Sequence, residues 1–105
     1  MLSGRGLESK IKLIESFRKY DHYVGAQTMF AFLYIAQRTY FSAEDLRVMD
    51  VGIEMDTTSA SASRNMAWLV KHDLIELYEN PDKRIEKFIK LTKQGKQLAK
   101  KLEGL

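Results

Sequence analysis

The stretch from Ala26 to Gln37 is apolar on nearly every side, with Met29, Phe30, Phe32, Leu33, Tyr34 and Ile35 in close succession. A helix of that character is stable only when neighbours cover it all round. In a chain of 105 residues it must therefore be the central element against which the other segments pack. The length allows one domain, 1–105, and no second core.

The remaining segments read as covers for that helix. Leu7, Ile11, Ile14 and Phe17 fall at helical spacing and predict an amphipathic helix over 7–20. Asp21 to Gly25 breaks the chain before the central helix. Ser42 as a cap, with Glu44 and Asp45 in the first turn, predicts a short helix over 43–50 that turns Leu46, Val48, Met49 and Val51 inward and stops at Gly52. Thr57 or Thr58 caps a further helix reaching about residue 72. Asp73 then takes the place of the usual glycine stop before a strand over 74–79, and Asn80-Pro81-Asp82-Lys83-Arg84 turns the chain into a return strand over 85–91. Thr92 caps a last helix over 93–103, striped by Leu98, Leu102 and Leu105. The fold class is mainly α with a small β-hairpin.

Charge is divided unevenly. Residues 80–105 carry eight Lys/Arg against three Asp/Glu, whereas 25–58 carry two against five, within a net charge of +3. The basic C-terminal half suits a polyanion, although a lysine-rich helix also serves as a solvated face. The absence of cysteine excludes disulfides and thiolate chemistry. No apolar run reaches the length of a membrane span, and the N-terminus lacks the pattern of a signal peptide, so a cytoplasmic protein without a membrane partner is expected.

The helix over 58–72 and the hairpin after it carry the functional signal. At 100° per residue, Ala62, Met66, Leu69 and Val70 share one face, while Ser61, Arg64, Asn65, Trp68 and His72 share another, which is expected to be presented. Arg64 can donate a planar fork to guanine or clamp a phosphate, Asn65 can pair with adenine, and the serines can donate to either kind of target. Lys83 and Arg84 at the hairpin tip suit phosphate. Each feature has a plainer reading. Serines 59, 61 and 63 can begin a solvent-facing helix, charged hairpin tips aid solubility, and Trp68 can pack on its own fold.

Helix, helix, short helix, turn, presenting helix, hairpin and helix is the order of a winged helix-turn-helix domain. Gln27 to Ala36, Thr58 to Asn65, Asn80 to Arg84 and Leu91 to Gly95 also resemble, in order, the MarR-type winged-helix regulators, particularly the short versions of phages and mobile elements. The resemblance covers about residues 24–98. It implies a core of about 24–92 and a recognition helix of about 58–72 in the major groove of double-stranded DNA, carrying Ser59, Ser61, Ser63, Arg64, Asn65 and Lys71. It implies a wing of about 80–87 on the backbone, with Lys83, Arg84 and Lys87, and a homodimer joined through the terminal helices. Sequence-specific DNA binding as a transcriptional regulator follows as the expected function, on an inverted repeat with recognition helices about 34 Å apart.

Other chemistry finds little support. Ser61 and His72 lie eleven residues apart on one helix, about 16 Å along its axis, far beyond the reach of a general base. Two separated histidines, His22 and His72, offer no metal set, and no glycine-rich phosphate loop is present. No enzyme activity, cofactor or metal is expected. Phe30, Phe32, Tyr34 and Tyr40 could line a crevice for a small effector, though core packing explains them as well. The rival reading is a winged-helix protein-interaction module without DNA binding, using Trp68 and the acidic 44–56 segment.

Overall fold

The computed structural model describes residues 3–56, 58–82 and 86–105, with the side chain of Ser59 not described. Helix α1 (Arg5–Arg18) leads through a corner into α2 (Ala26–Ile35), which runs on as a π-helical segment, Ala36–Phe41. A short strand β1 (Leu46–Arg47) precedes α3 (Val48–Glu54), a turn, and α4 (Ser59–Lys71). Strands β2 (Ile75–Glu79) and β3 (Lys87–Leu91) form the hairpin, and α5 (Lys93–Glu103) closes the chain.

Helix α2 holds the centre, as its composition demands. Ala31, Phe32 and Ile35 are buried, and the Phe32 ring meets Phe17 of α1 edge to face at 5.6 Å. Val51 of α3, Leu69 of α4, Leu74, Ile75 and Ile89 complete the core. Phe30 is the large apolar side chain of α2 that is not covered, being 46% exposed and stacked on Tyr34.

The sheet has three strands in the order β1-β3-β2, all antiparallel. Ile75 pairs with Leu91 and Leu77 with Ile89, while Leu46 meets Ile89 from the other side. The hairpin expected from sequence is present, and β1 is an addition. Two residues are too few to show alternation, so pairing with β3 is what makes Leu46-Arg47 a strand.

That pairing also corrects the short helix. It spans Val48–Glu54 rather than 43–50, and Ser42 does not cap it. Ala43 lies in the left-handed region at φ 52°, which interrupts any helix starting there. Asp50 instead caps from within, its carboxylate accepting from the Arg47 backbone N–H at 3.0 Å and from the Arg47 guanidinium at 2.9 Å. Gly52 is an interior residue, where an added Cβ would lie 3.5 Å from that of Ala62, so α3 and α4 cross closely there. Met49, expected inward, is 55% exposed.

The ends behave differently from each other. Leu98 and Leu102 of α5 are buried within the subunit, whereas Leu7, Ile11 and Ile14 of α1 are 66%, 56% and 41% exposed. Only the C-terminal part of α1 is anchored, through buried Ser16 and Phe17, and the molecule is correspondingly long at 55 × 26 × 24 Å.

Gly95 lies in the first turn of α5, where an added Cβ would fall 2.0 Å from the Leu74 carbonyl oxygen. Gly95→Ala is expected to lower unfolding stability by roughly 3 kcal/mol in urea denaturation. Gly104→Ala, with 3.6 Å to its nearest neighbour, should change stability little.

Candidate nucleic-acid interface

Helix α4 begins at Thr58, whose hydroxyl accepts from the Ser61 backbone N–H at 3.2 Å. It ends where Asp73 enters the left-handed region at φ 57°, doing what glycine usually does. Between these stops Ala62, Met66 and Leu69 are buried, as expected, while Val70 is 44% exposed.

The outward face differs from the one expected. Asn65 is only 8% exposed, and its Oδ1 accepts from the Thr28 hydroxyl of α2 at 3.0 Å. It is a core polar residue in contact with α2, and its Nδ2 has no partner among the described residues. Trp68 is also turned inward, donating from Nε1 to Asp21 at 3.0 Å and packing among Tyr20 and His72. The reading of Trp68 as packed on its own fold is the one realised, with the ring partly buried. Ser61 is partly buried, its hydroxyl accepting from Thr58 at 3.2 Å and from Arg64 at 3.1 Å.

Ala60, Ser63, Arg64, Ala67, Val70 and Lys71 are the exposed residues instead. They describe an arc rotated by about a third of a turn from the polar face read off the sequence. The small residues Ala60, Ser63 and Ala67 lie alongside the cations, so the helix backbone can come close to a partner surface. Neither Arg64 nor Lys71 is held in an ion pair among the described residues.

Lys87 on the wing is exposed and lies 4.0 Å from Glu79 across the hairpin. Lys90 and Glu76 pair at 3.5 Å on the opposite sheet face, where Lys90 also sits over the Tyr78 ring. The expected contacts from Lys83 and Arg84 lie outside the described residues, as does the side chain of Ser59. Arg47, which the sequence did not single out, stands between α3 and the wing, bridging Asp50 at 2.9 Å and Glu86 at 3.4 Å. Those carboxylates, Asp50 before Glu86, hold the Arg47 guanidinium firmly protonated.

Of the acidic segment 44–56, Glu44 is tied to Arg38 at 3.4 Å and Asp50 to Arg47. No group of three metal-ligating side chains occurs among the described residues, nor is any described helix long and apolar enough to cross a membrane.

With this geometry the backbone can be compared with solved structures. It matches a mutant MepR from a multidrug-resistant S. aureus clinical isolate with a TM-score of 0.78, at 19% identity over 94% of this chain and 68% of that one. It matches the S. aureus MepR–DNA complex at 0.77, with 19% identity over 94% and 76% of the two chains. The chain has the winged-helix fold of MarR-type regulators. Streptococcus pyogenes AdcR, an adhesin competence repressor, matches at 0.63, with 14% identity over 95% and 69%. No protein-family model matches the sequence, and neither does any curated protein. In this winged helix α3 and α4 are the helix-turn-helix, and β2–β3 the wing.

The Asp21 carboxylate is held below its usual range, first by the hydrogen bond from Trp68 and then by the Tyr23 backbone N–H. A carboxylate so lowered binds its proton more readily unfolded. Its contribution is therefore present at neutral pH and is lost as pH falls through the folded-state value. Trp68 is the single tryptophan and reports the contact. Its emission should change in an acid step below the ordinary aspartate range, and Asp21→Ala should abolish that step and shift the emission already at neutral pH. An unchanged titration in the variant would remove Asp21 from the account.

Proposed function

We propose that the chain is a double-stranded DNA-binding transcriptional regulator, using α4 in the major groove and the wing on the adjacent backbone. The observation that carries this reading is the exposed arc of α4, where Arg64 and Lys71 stand without ion-pair partners among the described residues beside Ala60, Ser63 and Ala67. Slender side chains admit the helix to the groove, and the two cations supply base-edge and phosphate contacts. The fold match to a MepR–DNA complex, and to MepR as a transcription regulator of the S. aureus multidrug efflux pump MepA, supports the same reading.

Within it the roles are redistributed. Ser63 and Arg64 read bases, Lys71 and Lys87 hold phosphate, and Lys83 and Arg84 act at the wing tip by their place in the sequence. Ser59 stands at the first turn of α4, where backbone N–H groups also face a phosphate. Ser61 orients Arg64 through their 3.1 Å hydrogen bond. Asn65 is withdrawn from base reading because it is committed to Thr28. The reading is of a binding protein working in the cytoplasm, not of a catalyst.

A twofold dimer completes the proposal. Leu7, Ile11 and Ile14 form an apolar stripe that nothing among the described residues covers, and a second copy of α1 would cover it isologously. The stripe of α5 does not demand a partner, since Leu98 and Leu102 are already buried. The domain proposal is thus narrowed to a winged core carrying a dimerisation arm at its N-terminal end.

Selection of bound sequences from a random duplex pool should return an inverted repeat. Arg64→Ala should weaken binding to it about tenfold and relax one position of each half-site. Lys71→Ala should weaken all sequences alike and make the log–log salt slope, expected near roughly −7, shallower by about 2 per dimer. Asn65→Ala should instead lower unfolding stability by about 1–2 kcal/mol while leaving base preference intact. A salt-independent interaction, or none with any duplex, would overturn the reading.

Ile11→Glu should convert the dimer to a monomer in light scattering, with unfolding stability at low concentration unchanged because Ile11 is exposed in the protomer. A monomeric wild type would end the dimer proposal without touching the fold.

A further inference from the structure

Beside the exposed arc of α4 runs a trough of about 1000 Å³, walled by α3, floored by α4 and closed on its far side by the wing. Its surface is apolar to a degree that a nucleic-acid face does not require. Ile53 and Met49 of α3 are 70% and 55% exposed, Val70 of α4 is 44% exposed, and Leu77 of β2 is 38% exposed. The small Ala67 on the floor and Gly52 on the wall leave room for a guest, and the flexible Met49 can adapt its shape to what lies against it. Phosphates and sugars gain nothing from four such side chains, whereas an apolar helix face buries them.

The rim carries charge of one sign in excess. Lys71 and Lys87 line it together with Arg47, against Glu86. Arg47 is bridged to Asp50 and Glu86, and Lys87 lies 4.0 Å from Glu79, while Lys71 has no ion pair among the described residues. A guest is therefore favoured by being apolar along its centre and acidic along its edges. The exposed stripe of α1 from a second copy has the apolar spacing, but it brings Arg5, Lys10, Lys12 and Arg18 against Glu8 and Glu15, which is the wrong sign.

We propose that the trough between α3, α4 and the wing docks an acidic amphipathic helix of another protein, with its apolar residues on Met49, Ile53, Val70 and Leu77 and its carboxylates on Lys71 and Lys87. Such a helix covers Ser63, Ala67 and Lys71, so its docking and duplex binding are mutually exclusive. That exclusion rests on the DNA reading given above; the docking does not.

The probe is a fluorescent, helix-stabilised synthetic peptide of about four turns, with leucines at i, i+4, i+7 and i+11 and glutamates flanking them. It should bind the full chain saturably. Replacing its glutamates by lysines, or introducing Ile53→Glu into the protein, should weaken binding at least about tenfold, and Lys71→Glu should favour the lysine peptide instead. Ile53 is mostly exposed, so the variant is expected to keep the unfolding curve of the wild type, and Met49→Ser serves as a second, neutral probe of the same wall. Absence of saturable binding, equal affinity for the acidic and basic peptides, or indifference to both trough variants overturns the proposal. Loss of dimer in Ile53→Glu also overturns it, since the trough would then belong to a second copy. Peptide displacement of bound duplex reads the exclusion, while failure of any duplex to bind leaves the peptide titration intact and counts only against the DNA reading.

Discussion

The rotation of α4 about its own axis is the constraint on which the rest of this molecule depends. Ala62, Met66 and Leu69 seat the helix on the core, and such contact, being non-directional, constrains its roll less sharply than a hydrogen bond does. Two polar contacts on one flank define it. Thr28 of α2 donates to Asn65, and the Asp21 carboxylate at the α1–α2 corner takes the Trp68 N–H. Because Thr28 and Asn65 are both buried, turning the helix would leave a hydroxyl and an amide oxygen without partners in the interior. The exposed arc of Ala60, Ser63, Arg64, Ala67, Val70 and Lys71 is what remains once that flank is committed.

The same contacts join the part of the molecule proposed to read DNA to the part proposed to dimerise. Tyr20 and Asp21 follow directly on α1, and they hold Trp68 and His72 near the C-terminal end of α4. Gln94 of α5 reaches both the Tyr20 hydroxyl and the His72 carbonyl, closing a cluster of three helix ends. The arm proposed to dimerise thus has its root, the α1–α2 corner, packed directly against α4.

Electrostatics divide the surface by engagement as well as by sign. The carboxylates of the middle segment are partly spent within the fold, Glu44 on Arg38 and Asp50 on Arg47, while Arg64 and Lys71 are left unneutralised among the described residues. Exposed pairs such as Lys90–Glu76 contribute little to stability. Their effect is rather to keep the flank of the wing close to neutral and to leave the cations of α4 as the local excess.

Much of this was legible in the sequence. The all-round apolar character of 26–37 determined a central helix, because such a surface has no stable alternative to burial. Thr57 or Thr58, with Asp73 and Thr92, marked the limits of α4 and the start of α5, because caps are local hydrogen-bonding and backbone decisions made within a few residues, and the structure chose Thr58. The hairpin followed from turn residues between apolar runs for the same reason. Only the tertiary structure decided what depended on distant partners. Leu46-Arg47 is a strand because β3 lies beside it, and α3 starts late as a consequence. Asn65 and Trp68 looked presentable because they are polar or polar-tipped, and nothing local reveals that Thr28 and Asp21 wait across the core. Periodicity gives a helix its faces, but which of them meets water is settled by the neighbours that satisfy the others.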